Sequence, residues 1–305
     1  PLEVIKVIIE LLEYIRRFGT PQFTRQARMG FIARSFCSSL VASGWFVHED
    51  IDNFMKGITT VSSDFEKDYQ EYSAGEMTRD DFNSKYGHLR SGTYDIRTDS
   101  YNQMVFRPVT GTYKPQKEKA IKTGLNEEIL AKALLSIDFD IPAKDFIHFM
   151  TTAIESREYF KFEFTKSLSL AIDLIQSLGK ILNIDRNDLS WISVEDLEDC
   201  RRLGIKEIEA FLKNVIKQNQ DYYNEYSNII LPDVILNETG ISVIPVNKAR
   251  PNFITSKKVE GEVVNLEHET DEDLMDKIVM IPKADPGYEW IFTKGIKGFI
   301  TKYGG

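Results

Sequence analysis

From Pro142 to Gly179 the chain carries no internal glycine or proline, and Phe146, Met150, Ile154, Phe160, Leu168, Ile172 and Ile175 recur along it at helical spacing. At ~1.5 Å per residue a helix of this length reaches roughly 55 Å. Such a helix is too long to be a surface element of a small domain. It predicts a spine, with other helices packed along its apolar stripe.

The flanking sequence supplies those helices. Residues 2 to 18 place Leu2, Ile5, Ile9, Leu12 and Ile15 on one face, and Thr20-Pro21 predicts an N-cap and first helical position for a second helix running to about Ser43, before Gly44. A third is predicted from His48-Glu49-Asp50 through Phe54, Ile58, Val61, Phe65 and Tyr69 to about Tyr72, stopped by Gly75. Thr78-Arg79-Asp80-Asp81 caps a short helix that Gly87 ends. Helical pattern returns at 126 to 136 and again at about 194 to 203 and 206 to 227. Past Ile229 it gives way to β-branched runs at 229–231, 241–246, 259–266, 277–281 and 298–302, with a helix start at Asp285 to Phe292. The fold class is α+β. A mainly helical domain, residues 1–229, is built on the spine; a small α/β domain, residues 230–305, follows and is cut off after its last strand.

The formal net charge is −9, which argues against a general electrostatic hold on nucleic acid or an anionic membrane and leaves room only for a local basic patch. The apolar stretch Val4 to Ile15 is interrupted by Lys6, Glu10 and Glu13, so it reads as neither a membrane span nor a signal peptide, and a cytoplasmic location follows by default. Cys37 and Cys200 lie far apart without CxxC spacing and read as buried small hydrophobes rather than a disulfide or zinc site. His48, His88, His148 and His268 share no ligand spacing, so no metal site is predicted, and His148 reads as structural. GxSxG, GxxxxGK[ST] and GxGxxG are absent.

From Gly87 to Gln116, Gly, Ser, Thr, Tyr and Pro displace the helix formers, which predicts a long ordered loop. Its first part, Tyr86-Gly87-His88-Leu89-Arg90-Ser91-Gly92-Thr93-Tyr94-Asp95-Ile96, can present a cation, an aromatic face and a carboxylate to a small polar ligand. The other reading is an irregular connection in which Arg90 and Asp95 pair with each other or cap helices. Arg157, in the spine, would be a bidentate clamp for carboxylate or phosphate if it faced this loop; an exposed salt-bridge face with Glu158 and Lys161 is the alternative.

The segment Asp285-Pro286-Gly287-Tyr288-Glu289-Trp290-Ile291-Phe292 through Gly298-Phe299-Ile300-Thr301-Lys302-Tyr303-Gly304-Gly305 resembles the swivelling phosphohistidine domain of phosphoenolpyruvate-utilising enzymes, the family of phosphoenolpyruvate synthase, pyruvate phosphate dikinase and rifampicin phosphotransferase. In that family a strand ends in Gly-Gly, and a histidine a few residues later takes a phosphoryl group from ATP and passes it on. Residues 86 to 96 resemble the family's Gly-His-x-Arg-x-Gly loop, with Ser91 where many relatives carry proline, and Ser156-Arg157-Glu158-Tyr159 resembles its Arg-Glu spine helix. The resemblance implies an ATP-dependent phosphotransferase whose helical domain binds a small-molecule acceptor, pyruvate or another. His88, Arg90, Tyr94, Asp95 and Arg157 would be substrate-binding, and Gly304 and Gly305 would free the backbone of the phosphohistidine loop. The chain starts at Pro1 and stops at Gly305, so on this reading it is a fragment without the catalytic histidine. It would need the ATP-grasp domain of its parent protein, with ATP and Mg as cofactors there and none here. The rival expectation is a non-catalytic helical scaffold or partner-binding module.

Overall fold

The computed structural model describes residues 1–90, 94–104, 124–227, 235, 237–238, 257–266, 273–283 and 286–303. The spine is present as α7, Ala143–Leu182, a single helix of 40 residues that Asn183 ends in a left-handed conformation (φ 49°). Antiparallel to it runs a second rod made of α1 (Leu2–Tyr14), a π-turn (Ile15–Gly19) and α2 (Thr20–Ala42). The Thr20-Pro21 pair therefore does not start a new helix. Gly19 and Thr20 are both right-handed helical, and the Thr20 amide donates to the carbonyl of Ile15, five residues back. Pro21 has no amide proton to give Arg17 and its ring crowds that carbonyl; one wider turn accommodates it without breaking the rod.

The two rods meet through small residues. A Cβ on Gly19 would lie 3.1 Å from Cβ of Phe164, and one on Gly30 would lie 3.0 Å from Cδ of Arg157. Glycine at these points lets the backbones approach where a side chain would hold them apart.

The expected third helix is two, α3 (His48–Lys56) and α4 (Val61–Ala74). Gly57 closes the first, and the Thr60 hydroxyl accepts from the Ser63 amide to open the second. α5 (Arg79–Tyr86) begins as expected, with the Thr78 hydroxyl accepting from the Asp81 amide. α6 (Glu127–Leu135), α8 (Val194–Cys200) and α9 (Ile205–Tyr226) complete the helical part.

Three apolar clusters lie along α7. At its N-terminal half, Ala33, Cys37 and Leu40 of α2 meet Phe54, Leu130, Leu134, Phe146 and Met150. At its C-terminal end, Ile5, Ile8 and Ile9 of α1 meet Leu178, Leu182, Leu197, Cys200, Ile208 and Leu212. Both cysteines are buried and unbonded, as the sequence predicts. Between these ends lies an aromatic cluster of Phe65, Tyr69, Phe82, Tyr86 and Tyr101, with Phe162 of α7 and Trp290 against it. His148 is exposed, so it is not the structural histidine expected.

The C-terminal residues form a parallel three-stranded sheet in the order β1 (Val263–Asn265), β2 (Ile278–Lys283), β3 (Gly298–Tyr303), with a 3-10 segment, Pro286–Lys294, between β2 and β3. Val264, Val279, Ile281 and Ile291 are its core. The helix expected to start at Asp285 is thus the tighter 3-10 form. Strands expected at 229–231 and 241–246, and the boundary near residue 230, lie outside the described residues. Among the described residues no helix is long and apolar enough to cross a membrane.

Candidate functional site

The loop after α5 is held to the spine by buried charge. The Tyr101 amide donates to the Leu89 carbonyl (2.9 Å), that of Asn102 to Gly87 (3.0 Å), and Arg90 and Ser100 form an antiparallel bridge, so the loop closes on itself. Arg90 is fully buried. Its Nε donates to Ser169 Oγ (3.1 Å), Nη1 to the Thr98 carbonyl (2.8 Å), and Nη2 pairs with Asp173. Burial pushes its pKa down and Asp173 opposes that shift. A second arginine, Arg186, grips the carbonyls of Ile96 and Thr98 and the Asp99 carboxylate. Gln103 reaches Asp173 (3.2 Å), and Gln176 donates to the Ile96 carbonyl (3.0 Å).

This placement revises the expected clamp. The donors of Arg90 are turned into the protein and engaged there, so they do not face a ligand. Arg157 is elsewhere: it lies beside Gly30, pairs with Glu158, and sits with Cζ 5.7 Å from the centre of the Phe31 ring. Arg157 itself lies 12 to 16 residues before Ser169 and Asp173, the α7 partners of Arg90, a separation of roughly 20 Å along the helix. The two guanidiniums do not converge. Glu158 pairs with Arg157 rather than Lys161.

His88 is also engaged. Its Nε2 lies 3.2 Å from the Phe162 carbonyl, its ring meets Phe162 edge-on at 4.6 Å, and burial, aided by the charge on Lys166, lowers its pKa to about 4. It is neutral at pH 7, donating through Nε2 to that carbonyl. Asp95 pairs with Arg97 in a two-pronged contact (2.5 and 3.0 Å), not with Arg90, and the Arg97 hydrogen bonds hold its carboxyl below the usual range. Tyr94 has φ 60°, a left-handed conformation that bulky residues seldom adopt, and its hydroxyl is buried. Ser91, Gly92, Thr93, Gly304 and Gly305 lie outside the described residues.

What the loop does build is one wall of a cleft of about 510 Å³. Ile172, Ile175, Leu189 and Ile192 make it apolar, Asp95 and Arg97 give it one charged edge, and Trp191 and Tyr223 stand T-shaped at 5.3 Å. With Ser190 and Ser193 also in the lining, this size and mix suit a small molecule that has both an apolar face and polar groups. A second cleft of about 440 Å³, between the loop and the end of α7, is polar, with Asp99, Gln103, Gln176, Lys180 and Arg186. Neither cleft is lined by His88, Arg90 or Arg157.

Residue-type reasoning missed Asp173, Ser169, Gln176 and Arg186. A signal was present: Thr165, Ser169, Asp173 and Gln176 repeat at four, four and three residues, a polar stripe on the spine, and Thr165 and Ser169 are buried. Among the described residues no three His, Cys, Asp or Glu are grouped to hold a metal ion. No protein-family model, curated protein or solved structure matches this chain.

Proposed function

We propose that the chain is part of a phosphotransferase of the phosphoenolpyruvate-utilising type, in which a histidine following Gly305 in a longer protein relays a phosphoryl group from ATP to an acceptor held by the helical part. The observation that supports this reading most is the C-terminal unit. The segment carrying the resemblance forms the 3-10 segment and β3, β3 pairs in parallel with the preceding β2, and it ends at Tyr303, next in sequence to Gly304-Gly305. In such a relay a nitrogen–phosphorus bond forms on the histidine as an ATP phosphoanhydride breaks. An oxygen–phosphorus bond to the acceptor then forms as the nitrogen–phosphorus bond breaks, and the acceptor hydroxyl releases its proton.

The acceptor cleft on this reading is the one edged by Asp95 and Arg97. Its apolar floor and aromatic corner suit an acceptor with a flat apolar body better than three-carbon pyruvate. Arg97 would orient a polar group of that acceptor; Asp95, with its lowered pKa, is a weak proton acceptor and would position rather than deprotonate. Arg90 and His88 would shape the cleft wall through the loop, without touching the ligand.

The deciding experiment incubates the full-length protein with ATP labelled on the β-phosphate and looks for acid-labile, base-stable label on the peptide after Gly305. Label there is the expected result; none, with ATP bound, overturns the relay. The 305-residue chain alone is expected to take no label, and autophosphorylation of it would contradict the assignment of the chemistry to segments outside. A second reading, a helical scaffold, is favoured by the complete engagement of Arg90. It predicts that Arg97→Ala leaves acceptor transfer unchanged.

A further inference from the structure

The π-turn and the α2 helix that follows it carry a charge pattern that the phosphoryl relay does not use. Between Glu13 and Glu49 there are five arginines, Arg16, Arg17, Arg25, Arg28 and Arg34, and no acidic residue, in a chain of net charge −9. Three of them, Arg16, Arg25 and Arg28, line one groove of about 480 Å³, floored by Leu12 and Ile15 where the π-turn widens the helix. Arg16 is partly neutralised: with Arg17 it shares Glu13, and Glu198 is close enough to raise its pKa. Arg25 and Arg28 are exposed, and among the described residues neither forms an ion pair; Arg25 reaches only the Gln22 amide oxygen at 3.5 Å. The Thr24 hydroxyl at the groove donates to the Thr20 carbonyl (2.8 Å), so its proton is occupied and the guanidiniums are the free donors.

Two guanidiniums three residues apart share a helix face, and each presents a rigid fork that matches the oxygens of a phosphate. Like charges so placed repel, and an anion between them removes the repulsion while gaining charge-assisted hydrogen bonds. We infer that this groove is a binding site for a small phosphate-bearing ligand, with Arg25 and Arg28 as its principal contacts and Arg16 at its edge. Leu12 lines both this groove and the apolar cleft, so the two sites adjoin. The inference stands whether or not the relay does.

The test is titration calorimetry of the 305-residue chain with pyrophosphate at low ionic strength. One saturable site is expected, weakened by added salt. Arg25→Gln with Arg28→Gln should weaken it about tenfold or more, with helicity retained because glutamine is a good helix former. Arg34→Gln, on the same helix but outside the groove, should leave it unchanged. Arg25→Lys with Arg28→Lys keeps the charge and loses the forks, so an intermediate weakening is expected. Absence of saturable binding in the millimolar range, equal weakening by Arg34→Gln, or tighter binding of a short oligonucleotide than of pyrophosphate would each overturn the assignment.

Discussion

Arg90, fully buried, and His88, partly buried, lie two residues apart and are held in place for different reasons. Arg90 is a charge held by Ser169, Thr98 and Asp173; removing the guanidinium strands part of that network. Arg90→Met is expected to lower unfolding free energy by about 3 kcal/mol, with Arg90→Lys recovering only part because one ammonium cannot serve three separate directions. Urea melts of the three proteins measure this, and equal stability of wild type and Arg90→Met would refute it. His88 is neutral in the fold, its pKa lowered to about 4 from an ordinary value of 6.5. The unfolded chain therefore binds a proton in a pH window where the native one does not. The stability His88 contributes is full above pH 6.5 and lost as pH falls from there toward 4, up to about 3 kcal/mol. A His88→Gln variant, which keeps an amide donor but does not titrate, should be less sensitive to pH between those limits; parallel pH profiles would sink the idea. The sequence showed that both residues sat in an unusual loop but could not show which way they point. Direction depends on partners 74 to 83 residues away on another element.

At the scale of elements, pattern was legible where periodicity is long and caps are explicit. The spine, α5 and α6 fall where Phe146 to Ile175, Thr78 and Asn126 place them. It misled where one residue has two readings. Pro21 fits the first turn of a new helix equally well as a π-turn in a continuing one, and only packing against α7 decides between them. Gly57 is inconspicuous as a helix end because Ile58, Val61 and Phe65 keep the apolar rhythm across it. The π-turn behaves as one extra residue between two segments, each locked to α7: α1 by Ile5 and Ile8, α2 by Gly30 and Ala33. Deleting Phe18, which is 59% exposed, together with Pro21→Ala should convert the turn to α-helix and keep both registers. The expected result is unchanged or raised thermal stability with the arginine groove narrowed, read by melting temperature and by weakened pyrophosphate binding. A fall of many degrees would mean that the π-turn itself holds the rod in place.

Among the described residues of the whole molecule, the C-terminal unit meets the helices where its 3-10 segment packs against α4, and Trp290 lies at that contact. Trp290 packs both in the aromatic cluster of α4 and α5 and in the core of the sheet, and its indole nitrogen is buried with no acceptor among the described residues. An unpaired buried donor weakens such a contact by about 1–3 kcal/mol compared with a paired one. Trp290→Ala is expected to free the sheet for proteolysis while the helical part melts as before; full protection of the sheet would show that other contacts suffice. The placement of the three tryptophans has an optical consequence. Trp45 lies against the cluster at one end of the spine, Trp191 against the cluster at the other, and Trp290 against the aromatic cluster between them and the sheet. Variants that keep one indole each therefore make fluorescence a three-channel recording of unfolding. Coincident traces would mean that the spine couples its ends into one cooperative unit, and separated traces would give the order in which its sections let go.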